Sequence, residues 1–142
     1  MDDNELAQKV LERLCDIDTR VMNLLGIEVV VLTPGRCVAR MVVRDDMVNS
    51  HLYCQGGLLF SLADHAFAYA CMSDNHYRVT LSANMIFSNP AKLGDIITAT
   101  AEVAHDSGGR TASCNVKVVN QENVLVAQVQ GLSYKAGGQI IS

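Results

Sequence analysis

The sequence predicts an α+β fold in which a curved antiparallel sheet wraps around one long, buried helix. Most of the chain after residue 26 reads as strand-like runs with one apolar face. The exception is a central segment, from about residue 57 to 73, that is apolar on every side and therefore predicts a helix covered by its neighbours. No change of composition marks a boundary, so residues 1–142 are expected to form a single domain.

Composition and charge exclude several classes of protein. The net charge is −4 and no block of like charges occurs, which argues against a nucleic-acid surface and a polybasic membrane anchor. The first ten residues are acidic and polar, unlike a secretory signal, so we expect a cytoplasmic protein. Ser61, Asp64 and His65 interrupt the central apolar segment, which is too short to cross a membrane.

The cysteines and histidines indicate neither disulfides nor a metal site. Five cysteines occur without a C-x-x-C pair, as expected of reduced thiols. The four histidines show no metal-ligand spacing with one another or with the cysteines, and we expect no metal or other cofactor. Cys54 lacks an evident His-Asp relay, so an inert thiol is favoured over a nucleophile.

Helical periodicity predicts the first element, a single amphipathic helix over about residues 4–25. Apolar residues recur along it at helical spacing, at Leu6, Val10, Leu14, Ile17, Val21 and Leu24. We expect Gly26 to end this helix.

Turn residues and two-residue alternation predict the strands. Pro34-Gly35 separates two β-branched runs and predicts a hairpin, and residues 44–55 then show no period and read as a loop. Four further strands are expected after the central helix, over residues 77–88, 95–104, 110–119 and 124–134. Turns are predicted at Ser107-Gly108-Gly109 and at residues 120–123, and the tail from Ala136 is expected to fray.

Asp64 is the residue that the central helix does not explain. It is the only formal charge between Asp46 and Asp74, and burying a carboxylate among apolar side chains is costly. Helical spacing places it on a stripe with Phe60, Phe67, Ala68 and Cys71, which should raise its pKa and suit it to act as a base. The alternative is a structural carboxylate that is bonded to backbone or to another helix.

Gly56-Gly57, at the start of this helix, is a candidate oxyanion site. The first N–H groups of a helix have no intrahelical acceptor and lie at the positive end of its dipole. Two glycines leave that backbone open to a substrate carbonyl. The alternative is a hinge or a point of close packing.

The motif around these residues resembles a known family. Residues 48–71, VNSHLYCQGGLLFSLADHAFAYAC, resemble the helix motif of hot-dog-fold acyl-CoA thioesterases, and most of all the PaaI-type branch associated with phenylacetate degradation. The likeness continues through residues 83–110, with a strand, a proline turn and a Gly-Asp pair, and covers roughly residues 40–135.

The resemblance implies hydrolysis of an acyl-CoA, with an aryl-acyl or medium-chain acyl group. It assigns the catalytic carboxylate to Asp64 and the N–H that polarises the carbonyl to Gly56. It assigns placement of the water or carbonyl to Asn49, and orientation of water beside the carboxylate to Ser82. Residues of two chains share each site in this family, so we expect a homodimer or a dimer of dimers. From the residues alone, Asn49 also fits a turn and Ser82 an ordinary strand serine.

One position departs from the family, which often has His directly before the two glycines. Gln55 stands here and can donate a hydrogen bond, but it cannot titrate near neutral pH, so an orienting role is left to it. Gly57, Phe60 and Phe67 are expected to contact the substrate. Lys92 and Arg110 are candidates for the CoA phosphates, although ordinary surface solvation also explains them.

Two other functions fit a hot-dog domain. A dehydratase pairs a His with a carboxylate, but its typical His-Pro-Gly signature is absent, since Pro34 and Pro90 both lie in predicted turns. A non-catalytic acyl-CoA-binding or sensor domain remains open.

Overall fold

In a computed structural model, which describes residues 1–106 and 109–142, the elements follow the predicted order, except that two helices replace the single N-terminal helix. The turn predicted at Ser107 and Gly108 lies outside the described residues. The helices are α1 (Asp3–Ile17), α2 (Thr19–Leu25) and α3 (Gly56–Met72), with a short 3-10 turn at Asp45–Met47. The strands are β1 (Glu28–Thr33), β2 (Arg36–Val42), β3 (His76–Phe87), β4 (Ile96–Asp106), β5 (Thr111–Val119) and β6 (Leu125–Gln139).

The six strands form one antiparallel sheet in the order β1-β2-β4-β5-β6-β3, and α3 packs against one face of it. Alternation in β5 shows why that face is the core side: its inward residues Ala112, Cys114, Val116 and Val118 are all buried. Burying this apolar face drives the packing of α3 onto the sheet. The predicted α+β hot-dog arrangement is thus confirmed.

The sheet leaves one stripe of α3 uncovered. Gly57, Ser61, Asp64 and Ala68 follow helical spacing and are exposed or half-buried, whereas most of the remaining helix is buried. The expectation that α3 is covered on nearly all sides is therefore wrong for a single chain. The uncovered residues are mostly small, so another surface can approach the helix closely there.

The predicted N-terminal helix is divided in two. α1 ends at Ile17, and Asp18 adopts a non-helical conformation before α2 begins. An Oδ atom of Asp18 accepts a hydrogen bond from the Tyr69 hydroxyl of α3 at 3.1 Å. The apolar spacing continues across the break, but the side chains of Ile17, Val21 and Leu24 are exposed. The prediction of one continuous helix was wrong because this tertiary contact accompanies a break that periodicity does not show.

The C-terminal tail is ordered rather than frayed. Strand β6 extends to Gln139, and the Oδ1 atom of Asn75 accepts hydrogen bonds from the backbone N–H groups of Ile140 and Ile141 at 3.0 and 2.8 Å. The Nδ2 group of Asn75 donates to the carbonyl of Ile141. Asn75 has a φ of 73°, which asparagine tolerates better than most residues. The tail is therefore tied to the turn that follows α3.

The two edges of the sheet differ in length and character. β1 is 6 residues long, and its Glu28 pairs with Arg40 of β2. β3 is 12 residues long and exposes four large apolar side chains, those of Val79, Leu81, Ile86 and Phe87. A long apolar edge strand is a template for pairing with another chain.

Among the described helices, none has the length and apolar character needed to cross a membrane.

Candidate active site

Asp64 projects from the uncovered stripe of α3 toward strand β3. The hydroxyl of Thr80 donates a hydrogen bond to its Oδ1 atom at 3.4 Å. Desolvation by burial raises the pKa of the Asp64 carboxyl above its ordinary value, and the Thr80 hydrogen bond and nearby His65 act in the opposite direction. This is the half-buried carboxylate that the sequence predicted, and its pKa is shifted in the direction expected of a general base.

His65, the next residue, turns away from this position. Its ring packs against that of Tyr69 with centroids 4.4 Å apart, and it is buried. Burial lowers the pKa of His65, because charging the imidazole there costs solvation. The residue therefore belongs to the packing between α3 and the N-terminal helices.

A bulge in β3 decides which hydroxyl meets Asp64. Thr80 is paired with Ser133 of β6, but Ser82 is paired with Leu132, so one extra residue, Leu81, lies between them. Ser133 is buried on the core side, whereas Leu132 pairs with Ser113 on the outer face. Ser82 thus lies on the outer face, away from α3. The placement predicted for Ser82 is wrong, and Thr80 supplies the hydroxyl instead.

The start of α3 carries the predicted backbone donors. In the described structure, the N–H groups of Gly56 and Gly57 have no hydrogen-bond acceptor, and the side chain of Gln55 does not cap the helix. The carbonyl of Gln55 accepts from Leu58 and Leu59, so the first turn is well formed. These two donors at the positive end of α3 fit an oxyanion.

The two glycines have different surroundings. A Cβ atom added to Gly56 would lie 3.0 Å from Cζ of the Phe87 ring, whereas one added to Gly57 would meet nothing within 4 Å. A side chain at position 56 would therefore require the exposed Phe87 ring to shift by a small distance. Gly57 leaves open space, consistent with its predicted position beside a substrate.

Asn49 holds the loop that leads to this helix. Its Oδ1 atom accepts hydrogen bonds from the backbone N–H groups of His51 and Tyr53 at 3.0 and 3.2 Å. This is the turn role that the sequence left open for Asn49, and it fixes the orientation of the side-chain amide. Asn49 also lines a cavity of about 420 Å³ with Gly56, so the role inferred from the resemblance stays compatible with the structure.

Gln55 and the phenylalanines of α3 take different positions. Gln55 is exposed, and its backbone N–H donates to the carbonyl of Met47 at 2.8 Å, which anchors the helix start. Phe60 is half-buried near the uncovered stripe. Phe67 is only 2% exposed and packs beneath Gly131, so the structure places it in the core rather than on a substrate surface.

The two predicted phosphate-binding cations lie at opposite ends of the sheet. Lys92 lies near the start of β4, and an isolated antiparallel β-bridge pairs its backbone with that of Tyr53. Arg110 follows β4, and its guanidinium donates to the Tyr134 hydroxyl at 2.9 Å. The 11 residues of β4 separate them by about 35 Å. Within one chain they cannot contact the same phosphate group.

The remaining chemistry-bearing groups form no second centre in the described residues. Burial raises the pKa of the Cys54 thiol to about 11, which disfavours the nucleophilic thiolate. No group of three or more His, Cys, Asp or Glu side chains is placed to hold a metal ion within the described ranges.

Sequence reasoning missed Thr80, Phe87 and Tyr53. Thr80 and Ser82 both lie in the same alternating run, and only the bulge at Leu81 distinguishes them. Phe87 and Tyr53 are brought to the helix start by the segments that flank it. An aromatic residue just before a proline turn was the available signal for Phe87.

Known proteins resemble this chain in sequence and in fold. The thioesterase superfamily profile matches residues 53–127. The chain is 42% identical over 116 residues to the acyl-coenzyme A thioesterase PaaI of Escherichia coli strain K12, covering 82% of each chain. The chain therefore belongs to the thioesterase superfamily, as the motif around Asp64 predicted.

Solved structures of relatives have the same fold. The structure of the E. coli PaaI protein from the phenylacetic acid degradation operon matches with a TM-score of 0.93 at 36% identity, covering 97% of this chain and 99% of that one. An asparagine-to-aspartate variant of the phenylacetic acid degradation protein PaaI from Thermus thermophilus matches at 0.77 and 36%, covering 81% and 97%. A hypothetical thioesterase protein from Streptococcus pneumoniae, solved with coenzyme A, matches with a TM-score of 0.75 at 26% identity, covering 80% of this chain and 90% of that one.

Proposed function

We propose that this protein hydrolyses acyl-CoA thioesters to a free carboxylic acid and CoA, at sites that two copies of the chain share. The observation that carries the proposal is Asp64, a half-buried carboxylate on the uncovered stripe of α3, hydrogen-bonded by Thr80 and with a raised pKa. Membership of the thioesterase superfamily and the activity for which the E. coli relative is named support the reaction class.

The chemistry follows from the two halves of the site. The N–H groups at Gly56 and Gly57 stabilise the oxyanion that forms when the thioester carbonyl is attacked, a contribution of about 10²–10³ in rate per donor. Asp64 either takes a proton from the attacking water or attacks the carbonyl itself. The tetrahedral intermediate then expels CoA as its thiolate, which takes up a proton from Asp64 or from solvent. Where Asp64 is the nucleophile, this leaves an anhydride between the acyl group and the Asp64 carboxyl, and water hydrolyses it to release the carboxylic acid and restore Asp64. CoA enters as part of the substrate, and we propose that no cofactor is needed.

The spacing of these groups supports a shared site. Asp64 follows Gly56 by eight positions in α3, which is about 12 Å along the helix. A carbonyl held by the Gly56 N–H is attacked from about 3–3.5 Å, so the carboxylate of the same chain is out of direct reach. Asp64 of a second copy has no such restriction.

Two surfaces of the chain fit such a dimer. β3 presents a long apolar edge, and α3 presents its stripe of small residues beside Asp64. Pairing of two β3 edges in antiparallel fashion would bury both. It would also turn the second copy's Asp64 toward the first copy's helix start. A dimer of such dimers is compatible with this arrangement.

The acyl group that we propose is an aryl-acyl or medium-chain group, on the likeness to proteins of phenylacetic acid degradation. A CoA ligand is supported by the streptococcal relative solved with coenzyme A.

The direct test is release of free thiol from a panel of acyl-CoAs, including phenylacetyl-CoA and hexanoyl-CoA. Wild type is expected to turn over, and Asp64→Asn to lose about 10²–10⁴ in kcat. Asp16→Asn, an exposed aspartate on α1, is the matched control and should keep full activity. Tight CoA-ester binding without thiol release from wild type would favour the non-catalytic binding role instead.

Thermal unfolding of the same samples separates a catalytic from a structural carboxylate. Because the pKa of Asp64 is raised in the folded state, ionisation costs stability as pH rises from the ordinary Asp value through the folded value. Asp64→Asn should therefore unfold at a higher temperature than wild type at neutral pH, and this advantage should vanish in acid. A variant that melts much lower yet retains turnover would restore the structural interpretation.

A further inference from the structure

The cavity next to the helix start has two walls and an aromatic side chain on each. Residues 49–56 form one wall and residues 87–91 the other, with Leu59 of α3 between them. Tyr53 belongs to the first wall and Phe87 to the second. The two residues are 38% and 54% exposed, so the fold does not bury either of them. The mechanism proposed above uses neither ring.

Tyr53 is held firmly at this position. Its backbone N–H donates to Asn49 Oδ1 at 3.2 Å, and its carbonyl accepts from the Asn49 N–H at 2.9 Å. A β-bridge to Lys92 fixes the segment from the other side, and the ring of His51 lies 6.0 Å away in a stacked orientation. Because the backbone that carries the Tyr53 ring is already fixed at the mouth of the cavity, less of it has to be ordered when a ligand binds.

Reach limits which part of an acyl-CoA can meet Tyr53. Two residues separate Tyr53 from Gly56, so their backbones lie within about 10 Å of each other. The adenine of CoA is joined to the thioester by the whole pantetheine arm and extends much farther than this. The candidates are therefore the acyl group and the first atoms of that arm. The arm has an amide that needs polar partners, whereas an aromatic acyl ring needs the flat apolar surfaces that Tyr53 and Phe87 provide.

We propose that this cavity receives the acyl group and that Tyr53 stacks on an aromatic acyl ring, so that Tyr53 sets a preference for aryl-acyl over straight-chain substrates. The proposal rests on the proposed function for its substrate class. It assigns to Tyr53 a specificity role that is separate from the catalytic roles of Asp64 and Gly56.

The experiment compares wild type, Tyr53→Leu and Tyr53→Phe. For each we measure kcat/KM on phenylacetyl-CoA and hexanoyl-CoA, and binding of free CoA and of a non-hydrolysable thioether analogue of phenylacetyl-CoA by calorimetry. Leucine keeps apolar volume but removes the ring, and phenylalanine keeps the ring. We expect Tyr53→Leu to lower the aryl-to-hexanoyl ratio, and analogue affinity relative to CoA, about three- to tenfold. Tyr53→Phe should retain both.

Two outcomes overturn the inference, and a third overturns only the proposed hydrolysis. An unchanged ratio in Tyr53→Leu means that the ring does not contact the acyl group. Equal weakening of the analogue and of free CoA means that Tyr53 contacts the arm instead. If wild type binds the analogue and Tyr53→Leu weakens that binding as expected, but wild type turns over neither ester, then the proposed hydrolysis fails and the acyl pocket stands.

Discussion

The two halves of the site on α3 are built in opposite ways. At Gly56 and Gly57 the functional atoms are backbone N–H groups, and the sequence contributes by leaving side chains out. At Asp64 the functional atom is on a side chain, and the surrounding apolar helix contributes by raising its pKa. The position of the backbone donors depends on where α3 begins, whereas the pKa of Asp64 depends on what covers the middle of α3.

This difference makes the two halves separable. The helix start is fixed by local bonds, such as that from the Gln55 N–H to the carbonyl of Met47. The surroundings of Asp64 include Thr80 from an edge strand that ends the sheet of its own chain. A defect in one half should therefore leave the other intact, and two different defects should complement each other across a dimer.

The largest expected effect is recovery of activity on mixing two impaired chains. Gly56→Pro removes the N–H at the first helical position, where proline is tolerated, and Gln55 has the extended ψ of 131° that precedes proline well. It should lose about 10²–10³ in kcat. Co-expression with Asp64→Asn should restore about a quarter of wild-type activity, because half of the chains pair as heterodimers with one intact site each.

Gly56→Ala is the control for this experiment. It adds the same Cβ near Phe87 but keeps the N–H, so it should be impaired less than Gly56→Pro. Activity of the mixture that is no greater than the mean of the two parents, in purified heterodimer, would show that each chain contains a whole site.

A smaller effect is expected from removing the hydroxyl beside Asp64. Thr80→Val deletes a hydrogen bond that stabilises the ionised carboxylate, so the pKa of Asp64 should rise further above its ordinary value. The base is active when ionised, so the acid limb of kcat/KM should move to higher pH by up to about one unit, a loss of up to tenfold on that limb.

Ser82→Ala is the matched control, since Ser82 lies on the outer face of the sheet. It should leave the pH profile unchanged. A shift of the acid limb in Ser82→Ala but not in Thr80→Val would return the hydroxyl role to Ser82.

The smallest effect is expected at the position that departs from the family. Gln55 is exposed and its side chain does not cap α3, so the geometry has room for an imidazole. Gln55→His should retain activity within about tenfold of wild type, or about 1.4 kcal/mol of barrier. Steady-state kinetics on phenylacetyl-CoA measure this. A thousandfold loss would reveal an essential amide.

The fold was predictable from sequence because periodicity reports burial directly. Alternation placed β5 correctly, and the all-apolar character of residues 57–73 identified α3 to within one residue at each end. The errors arose where a single tertiary contact decides the structure. The N-terminal helix breaks at Asp18, which accepts a hydrogen bond from Tyr69. Asn75 binds the backbone of the C-terminal tail, which its composition predicts to fray.

The site was predictable to the extent that its residues are local in sequence. Gly56 and Asp64 share one helix, and the motif around them identifies both. The partner of Asp64 lies 16 residues further along, on the far side of a turn, and its identity depends on the register of β3. A bulge shifts that register by one, which no alternation rule detects.

The bulge at Leu81 also constrains how this strand can change in evolution. Before it, an even-numbered residue, Thr80, faces α3; after it, an odd-numbered one, Phe87, packs over Gly56. Removing or adding one residue there would turn one half of the strand over, exchanging its core and outer faces. Insertions and deletions in this edge strand should therefore be tolerated only when they add or remove an even number of residues, because an even number keeps the same side chains on the core face.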